Sequence, residues 1–262
     1  MGSTTTLRAT YDVAEFASHA RAAFAGRAVP AFEIGAAAAV RSGTAPAAGT
    51  IMAVHGGAWS LVGESALRSM DQEVARWQAR GFITVNVDYR AGADSLVDAL
   101  AFHDAIHGWR GTTEQLGIIG TSAGGHLGLM TAAQRPGVAF VVGQAAPTDL
   151  AALGGTAESG DVRRLAQEAF GASDALLGAA SPVSRADAIR AHVLLGTSTW
   201  DRHVPAMQMD AFAAARPERT ETLLLRGGDE PFVHAGIARG ETERFAAAED
   251  ALVARVSSRL TR

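Results

Sequence analysis

Cysteine is absent from all 262 residues. That excludes disulfides, a thiol nucleophile and cysteine-ligated metals, and it leaves the redox compartment open. Lysine is absent too, so every one of the 23 basic residues is arginine. Together with abundant alanine, this reads as genome composition rather than function. No run of residues is long and apolar enough to span a bilayer, and a net charge of −4 gives no basic footprint for nucleic acid or an anionic membrane. The segment Met1–Arg8 lacks the basic and apolar regions of a signal peptide, so a cytoplasmic location is expected. What remains is 48% hydrophobic and 19% charged. Such a chain can bury one good core, which implies a single domain over residues 1–262.

Short β-type runs alternate with helical stretches along the chain. Val13, Phe16, Ala17, Ala20 and Phe24 fall at helical spacing, so residues 1–28 should carry a leading amphipathic helix, a possible lid. Val29–Ile34 and Ala37–Arg41 read as an opening antiparallel pair. Strands are expected at Thr50–Val54, Phe82–Tyr89, Leu116–Thr121, Phe140–Ala145, His192–Leu195 and Thr222–Leu225. Helices are expected at Glu64–Arg80, Ser95–Trp109, Gly124–Gln134 and Glu241–Leu260. The alternation implies a mostly parallel central sheet covered by helices on both faces, with ligands beyond the carboxyl ends of the strands. Pro147–Arg190 is too long for a simple connection and contains a helical piece at Val162–Phe170, which suggests a small lid-like insertion.

The most informative segment is Gly120-Thr121-Ser122-Ala123-Gly124. A serine at a strand-to-helix turn, flanked two residues away by glycine, is the nucleophile-elbow pattern G-x-S-x-G. Its context strengthens it. Thr50–Val54 is followed by His55-Gly56-Gly57-Ala58-Trp59, where glycines after a strand let consecutive amides turn toward a developing oxyanion. A serine needs a base, and in this arrangement serine, acid and histidine follow in that chain order. His19, His55, His103 and His107 precede Ser122. His126 points along the elbow helix, and His192 opens a strand at the far end from the site. His203 lies two residues from the best acid candidate and reads as a polar loop residue. His234, on the loop after the last strand, is therefore the expected base. Asp201, soon after the strand at His192, is the expected acid. Asp229 and Glu230 are rivals that share a loop with His234, and Asp149 is a plausible helix-cap or lid residue. The histidines are otherwise scattered, and neither a metal nor a cofactor is expected.

HGGAW at His55–Trp59, VDYR at Val87–Arg90, GTSAGGHL at Gly120–Leu127, SP at Ser181-Pro182 and DRHVP at Asp201–Pro205 together resemble the α/β-hydrolase superfamily. Within it they resemble the hormone-sensitive-lipase-like and small esterases. The resemblance implies an α/β-hydrolase fold, Ser122, Asp201 and His234 as a catalytic triad, and an oxyanion hole from the amides of Gly57, Ala58 and Ala123. It gives His55 and Trp59 the task of shaping the oxyanion loop. HGGAW is also similar to the HGGxW form of arylformamidases that hydrolyse N-formylkynurenine. The chain departs from the pattern in two places: Ala91-Gly92-Ala93-Asp94 replaces a proline-rich stretch, and Val233-His234 replaces Gly-His. The expected activity is hydrolysis of a small-molecule carboxylic ester by a monomer or homodimer. Formamide or thioester hydrolysis on the same residues is an alternative, and so is a catalytically silent binding protein of this fold.

Overall fold

The computed structural model describes residues 13–45, 47–111, 116–226, 234 and 241–260. Among the described residues, seven strands form one sheet: β1 (Phe32–Gly35), β2 (Thr50–Val54), β3 (Ile83–Val87), β4 (Leu116–Thr121), β5 (Val138–Gln144), β6 (His192–Ser198) and β7 (Thr220–Leu225). Their spatial order is β1-β3-β2-β4-β5-β6-β7. Only β1 runs antiparallel; every other pairing is parallel. The helices are α1 (Val13–Ala23), α2 (Ala38–Arg41), α3 (Glu64–Arg68), α4 (Asp71–Ala79), α5 (Asp94–Arg110), α6 (Ala123–Gln134), α7 (Ala157–Phe170), α8 (Asp174–Ala179), α9 (Met207–Ala215) and α10 (Glu241–Leu260).

Strand alternation sorts the apolar side chains into two layers. Met52, Val54, Ile118, Val141, Val193 and Leu195 pack on one face with Phe16, Phe102 and Leu127 from α1, α5 and α6. Their neighbours in sequence, Ile51, Ala53, Ile119, Phe140, Val142 and Leu194, pack on the other with Trp77 of α4 and Phe245 and Leu252 of α10. Both faces are thus covered, as a parallel sheet requires. This is the α/β-hydrolase architecture.

Two expectations fail locally. Ala37–Arg41 holds the short helix α2, not a strand, and β1 pairs with β3 instead. An alanine-rich run of five has no periodicity to separate the two states, and helix propensity wins. The helix expected over Glu64–Arg80 is two helices, broken at Ser69 and Met70, where Met70 turns its side chain into the core at 1% exposure. The N-terminal residues up to 12 and the rivals Asp229 and Glu230 lie outside the described residues.

The 147–190 segment is ordered by its own polar anchors. Ser181 donates from Oγ to the Leu177 carbonyl and accepts from the Leu150 amide at 2.8 Å. Gln208 of α9 accepts from the amides of Thr148 and Asp149 at 2.9 and 2.7 Å. α1 and the residue that follows it pack edge-on against α5 through Phe16–Trp109 and Phe24–Phe102.

One buried ion cluster stands apart from these apolar layers. Glu249 of α10 is 1% exposed and faces Arg76 at 3.4 Å and Arg80 at 3.1 Å. Desolvation outweighs both guanidiniums, and with Asp250 and Glu73 nearby it pushes the carboxyl up to about 6. A carboxyl whose folded value is raised holds a proton that the unfolded chain has already released. Stability is therefore fully present below the ordinary value of 4.5 and falls as pH rises to about 6. Wild type is expected to lose ~2 kcal/mol more than Glu249→Gln between pH 4.5 and 7 in urea unfolding; parallel pH profiles for the two proteins would contradict this.

Candidate active site

The elbow is built by steric necessity. Ser122 joins β4 to α6 at φ 52 and ψ −121, a strained backbone for a residue with a side chain. Its amide donates to the Gln144 carbonyl of β5 at 2.8 Å, and its carbonyl accepts the His126 amide at 3.1 Å. α6 therefore starts directly at the serine and crosses close over the sheet. A Cβ on Gly124 would fall on the carbonyl oxygen of Val54, and one on Gly120 would fall on the backbone of Gly124. The two glycines of G-x-S-x-G are required by this crossing, whatever the serine does.

Three sequence-predicted side chains meet at the carboxyl edge of the sheet. Ser122 Oγ lies 2.8 Å from His234 Nε2. His234 Nδ1 lies 3.1 Å from both carboxylate oxygens of Asp201. A carboxylate only accepts, so Nδ1 carries the proton and Nε2 is left to accept from the serine hydroxyl. Asp201 is held by its own loop: Oδ1 accepts the amides of His203 at 3.0 Å and Val204 at 2.9 Å. Its side chain is fully buried and that of His234 is 27% exposed. The ring of His203 lies beside that of His234, with centroids 4.9 Å apart.

Opposite the serine stands the loop after β2. Gly57, Ala58 and Trp59 all have positive φ, at 115, 49 and 58. Among the described residues, the amides of Gly57, Ala58 and Ala123 make no hydrogen bond. Gly56, Gly57, Ser122 and His234 line one open cleft of about 520 Å³. Leu61, Val62 and Ala66 give it an apolar wall, while Ser65, Ser69 and Glu73 add polar groups. None of its described lining comes from α1 or from 147–190.

Two sets of braces hold that loop, and sequence reasoning missed both. Asp88 accepts from His55 Nε2 at 2.9 Å, and from the amides of Tyr89 at 2.9 Å and Gly63 at 3.0 Å. Tyr89 stacks on His55 and donates from its hydroxyl to the Gly56 carbonyl at 3.0 Å. Burial, aided by Asp88, raises the Tyr89 hydroxyl far above its ordinary value, so it remains a donor. The VDYR motif is thus the support beneath HGG. Its Asp-Tyr pair, placed one strand over from a His-Gly-Gly, was the available signal. The second brace is His126, fully buried, which accepts from Trp59 Nε1 at 3.2 Å and donates from Nε2 to the Ala180 carbonyl at 2.8 Å. Burial lowers it to about 4, outweighing the Ala180 bond. It stays neutral, as one accepting and one donating nitrogen require. Phe170 closes the cluster against both rings.

His103 and His107 have the one-turn spacing of a metal-ligand pair on α5, which the sequence reading overlooked. Their rings stack at 5.8 Å, but both nitrogens of His103 are engaged, with Asp104 and the Pro136 carbonyl at 3.1 Å each. Among the described helices, none is long and apolar enough to cross a membrane.

This fold and site define an α/β-hydrolase of the serine-hydrolase type. The family model named BD-FAE matches residues 40–215, and the chain belongs to that family. No curated protein matches it. Among solved structures, a puromycin hydrolase is 25% identical over 80% of this chain and 34% of its own, with a TM-score of 0.64. A puromycin-hydrolyzing peptidase of Mycobacterium tuberculosis is 21% identical over 81% of this chain and 34% of its own, with a TM-score of 0.62. Esterase B from Lactobacillus rhamnosis, in an inhibited form, is 16% identical over 94% of both chains, with a TM-score of 0.65. The chain thus spans about a third of the length of the puromycin hydrolases it matches.

The glycine requirement is testable. Gly124→Ala should lower unfolding free energy by more than about 2 kcal/mol, through a clash with β2 that no side-chain rotation relieves. Gly160→Ala, inside α7 with open space around it, should instead raise stability by up to about 1 kcal/mol in the same urea titration.

Proposed function

We propose that the protein hydrolyses a carboxylic ester of a small molecule through an acyl-enzyme formed on Ser122. The observation that carries this reading is the unbroken contact chain from Ser122 Oγ to His234 Nε2, at 2.8 Å, and from His234 Nδ1 to Asp201, at 3.1 Å. In this reading His234 takes the hydroxyl proton as Oγ attacks the ester carbonyl. Asp201 keeps the imidazole in the required tautomer and stabilises its cation. The amides of Gly57, Ala58 and Ala123 are the proposed oxyanion donors, with Ala123 adding the N-terminal dipole of α6. His234 then protonates the leaving alcohol and activates the water that releases the acid. Membership of the BD-FAE family supports the reaction class.

The same residues would cleave a formamide or thioester. The HGGAW loop, with Trp59 fixed by His126, favours keeping arylformamidase activity as the second reading. Ser122→Ala should abolish turnover of p-nitrophenyl acetate, by roughly a millionfold in kcat, while the thermal midpoint stays at or above that of wild type. Residual turnover at wild-type rate would remove Ser122 as nucleophile. Failure of a fluorophosphonate to label Ser122 in the wild-type protein would favour a silent binding protein.

Side-by-side kinetics decide between the bonds. We expect kcat/KM for p-nitrophenyl acetate to exceed that for N-formylkynurenine; a strong preference for the formamide would replace the ester reading with the second one.

A further inference from the structure

Asp201, His203 and His234 each offer one ligand atom, and the three atoms lie within 4.8 Å of one another. Two imidazoles and a carboxylate, with a fourth position open to water, form a donor set suited to zinc. With zinc–ligand bonds of roughly 2.0–2.1 Å, two ligands on a tetrahedral ion sit about 3.3 Å apart, so the direct hydrogen bond between His234 and Asp201 must open by a small carboxylate movement to admit the ion. His234 Nδ1 and Asp201 Oδ2 are separated by 3.1 Å. His203 needs only a modest ring shift to join them. It sits on the bend after Asp201, partly exposed, with its ring beside that of His234. An ion can therefore reach the group from solvent.

We propose that Asp201, His203 and His234 form a binding site for Zn²⁺ that switches the hydrolase off. The step balances without a redox partner. Zn²⁺ takes the Nδ1 lone pair in place of the proton there, and the neutral ring carries its proton on Nε2 instead. Nε2 then donates and can no longer accept from Ser122 Oγ. One carboxylate oxygen of Asp201 and one ring nitrogen of His203 complete the protein ligands. The ion thus locks the imidazole in the tautomer opposite to the one catalysis needs. The inhibitory consequence rests on reading His234 as the base, whereas the binding does not.

The test begins with chelator-stripped protein and zinc sulfate, followed by isothermal titration calorimetry. Co²⁺ absorption in the visible serves as a report on imidazole ligation. Wild type should bind one Zn²⁺ per chain at this site. His203→Gln should weaken that binding about tenfold or more, while its zinc-free turnover of p-nitrophenyl acetate matches wild type. Zinc should slow fluorophosphonate labelling of wild type by at least about tenfold, with recovery on adding EDTA, and should affect the variant far less. Absence of stoichiometric binding, or unchanged affinity in His203→Gln, would overturn the site. Binding that depends on His203 but leaves labelling untouched would overturn the switch. A wild-type protein that binds zinc through His203 and never reacts with the probe would keep the metal site and remove the hydrolase reading, so the two failures are separable.

Discussion

The near-contact between α6 and the end of β2 governs the rest of the site. Because Gly124 lies against the Val54 carbonyl, α6 begins directly after the turn at Ser122 and the His55-Gly56-Gly57 loop begins directly after β2. Adjacent parallel strands end level, so the two segments face each other across one gap. Gly56 shows the same constraint from the other side, since a Cβ there would stand 3.3 Å from that of Ser122. Small residues are needed wherever these backbones approach, and that accounts for Gly56, Gly120 and Gly124, while Gly57 is confined by Leu61 and Gly125 by Ala146.

Backbone proximity alone would leave the loop free to sag. Three consecutive residues at positive φ, two of them not glycine, need support from outside. Asp88, Tyr89 and His126 supply it as buried polar groups whose partners are satisfied, the condition under which such networks rigidify a structure. His126 also joins three parts of the chain: the elbow helix through its backbone, the loop through Trp59, and the 147–190 segment through Ala180. That segment is therefore tied into the frame of the site, although none of its described residues lines the cleft.

Much of this was legible in the sequence, for identifiable reasons. Parallel strands buried on both faces give continuous apolar runs, and those at Thr50–Val54 and Leu116–Thr121 stood out with their boundaries correct. The elbow was readable because sterics force glycine at fixed offsets from the serine. Asp201 and His234 were singled out by chain order and by their place after β6 and β7, and the structure puts His234 against Ser122 and Asp201 against His234. The supports were visible at most as a motif: VDYR marks the Asp88-Tyr89 pair without saying what it holds. Nothing local marks Asp88 as the partner of His55, 33 residues away, or His126 as the partner of Trp59, 67 residues away. Such contacts exist only once the strand order is known. Ala37–Arg41 failed for a different reason: a short alanine-rich run has no periodicity to separate helix from strand, and helix propensity decides.

The backbone at residue 122 has a consequence for evolutionary drift. Holding a side-chain-bearing residue at φ 52, ψ −121 costs on the order of 1–3 kcal/mol, whereas glycine adopts that conformation with little penalty. A lineage that ceased to need the hydroxyl would gain stability by exchanging it for hydrogen. On the reading that Ser122 is the nucleophile, a descendant with glycine at position 122 would be the mark of a hydrolase that had retired from chemistry while keeping its fold.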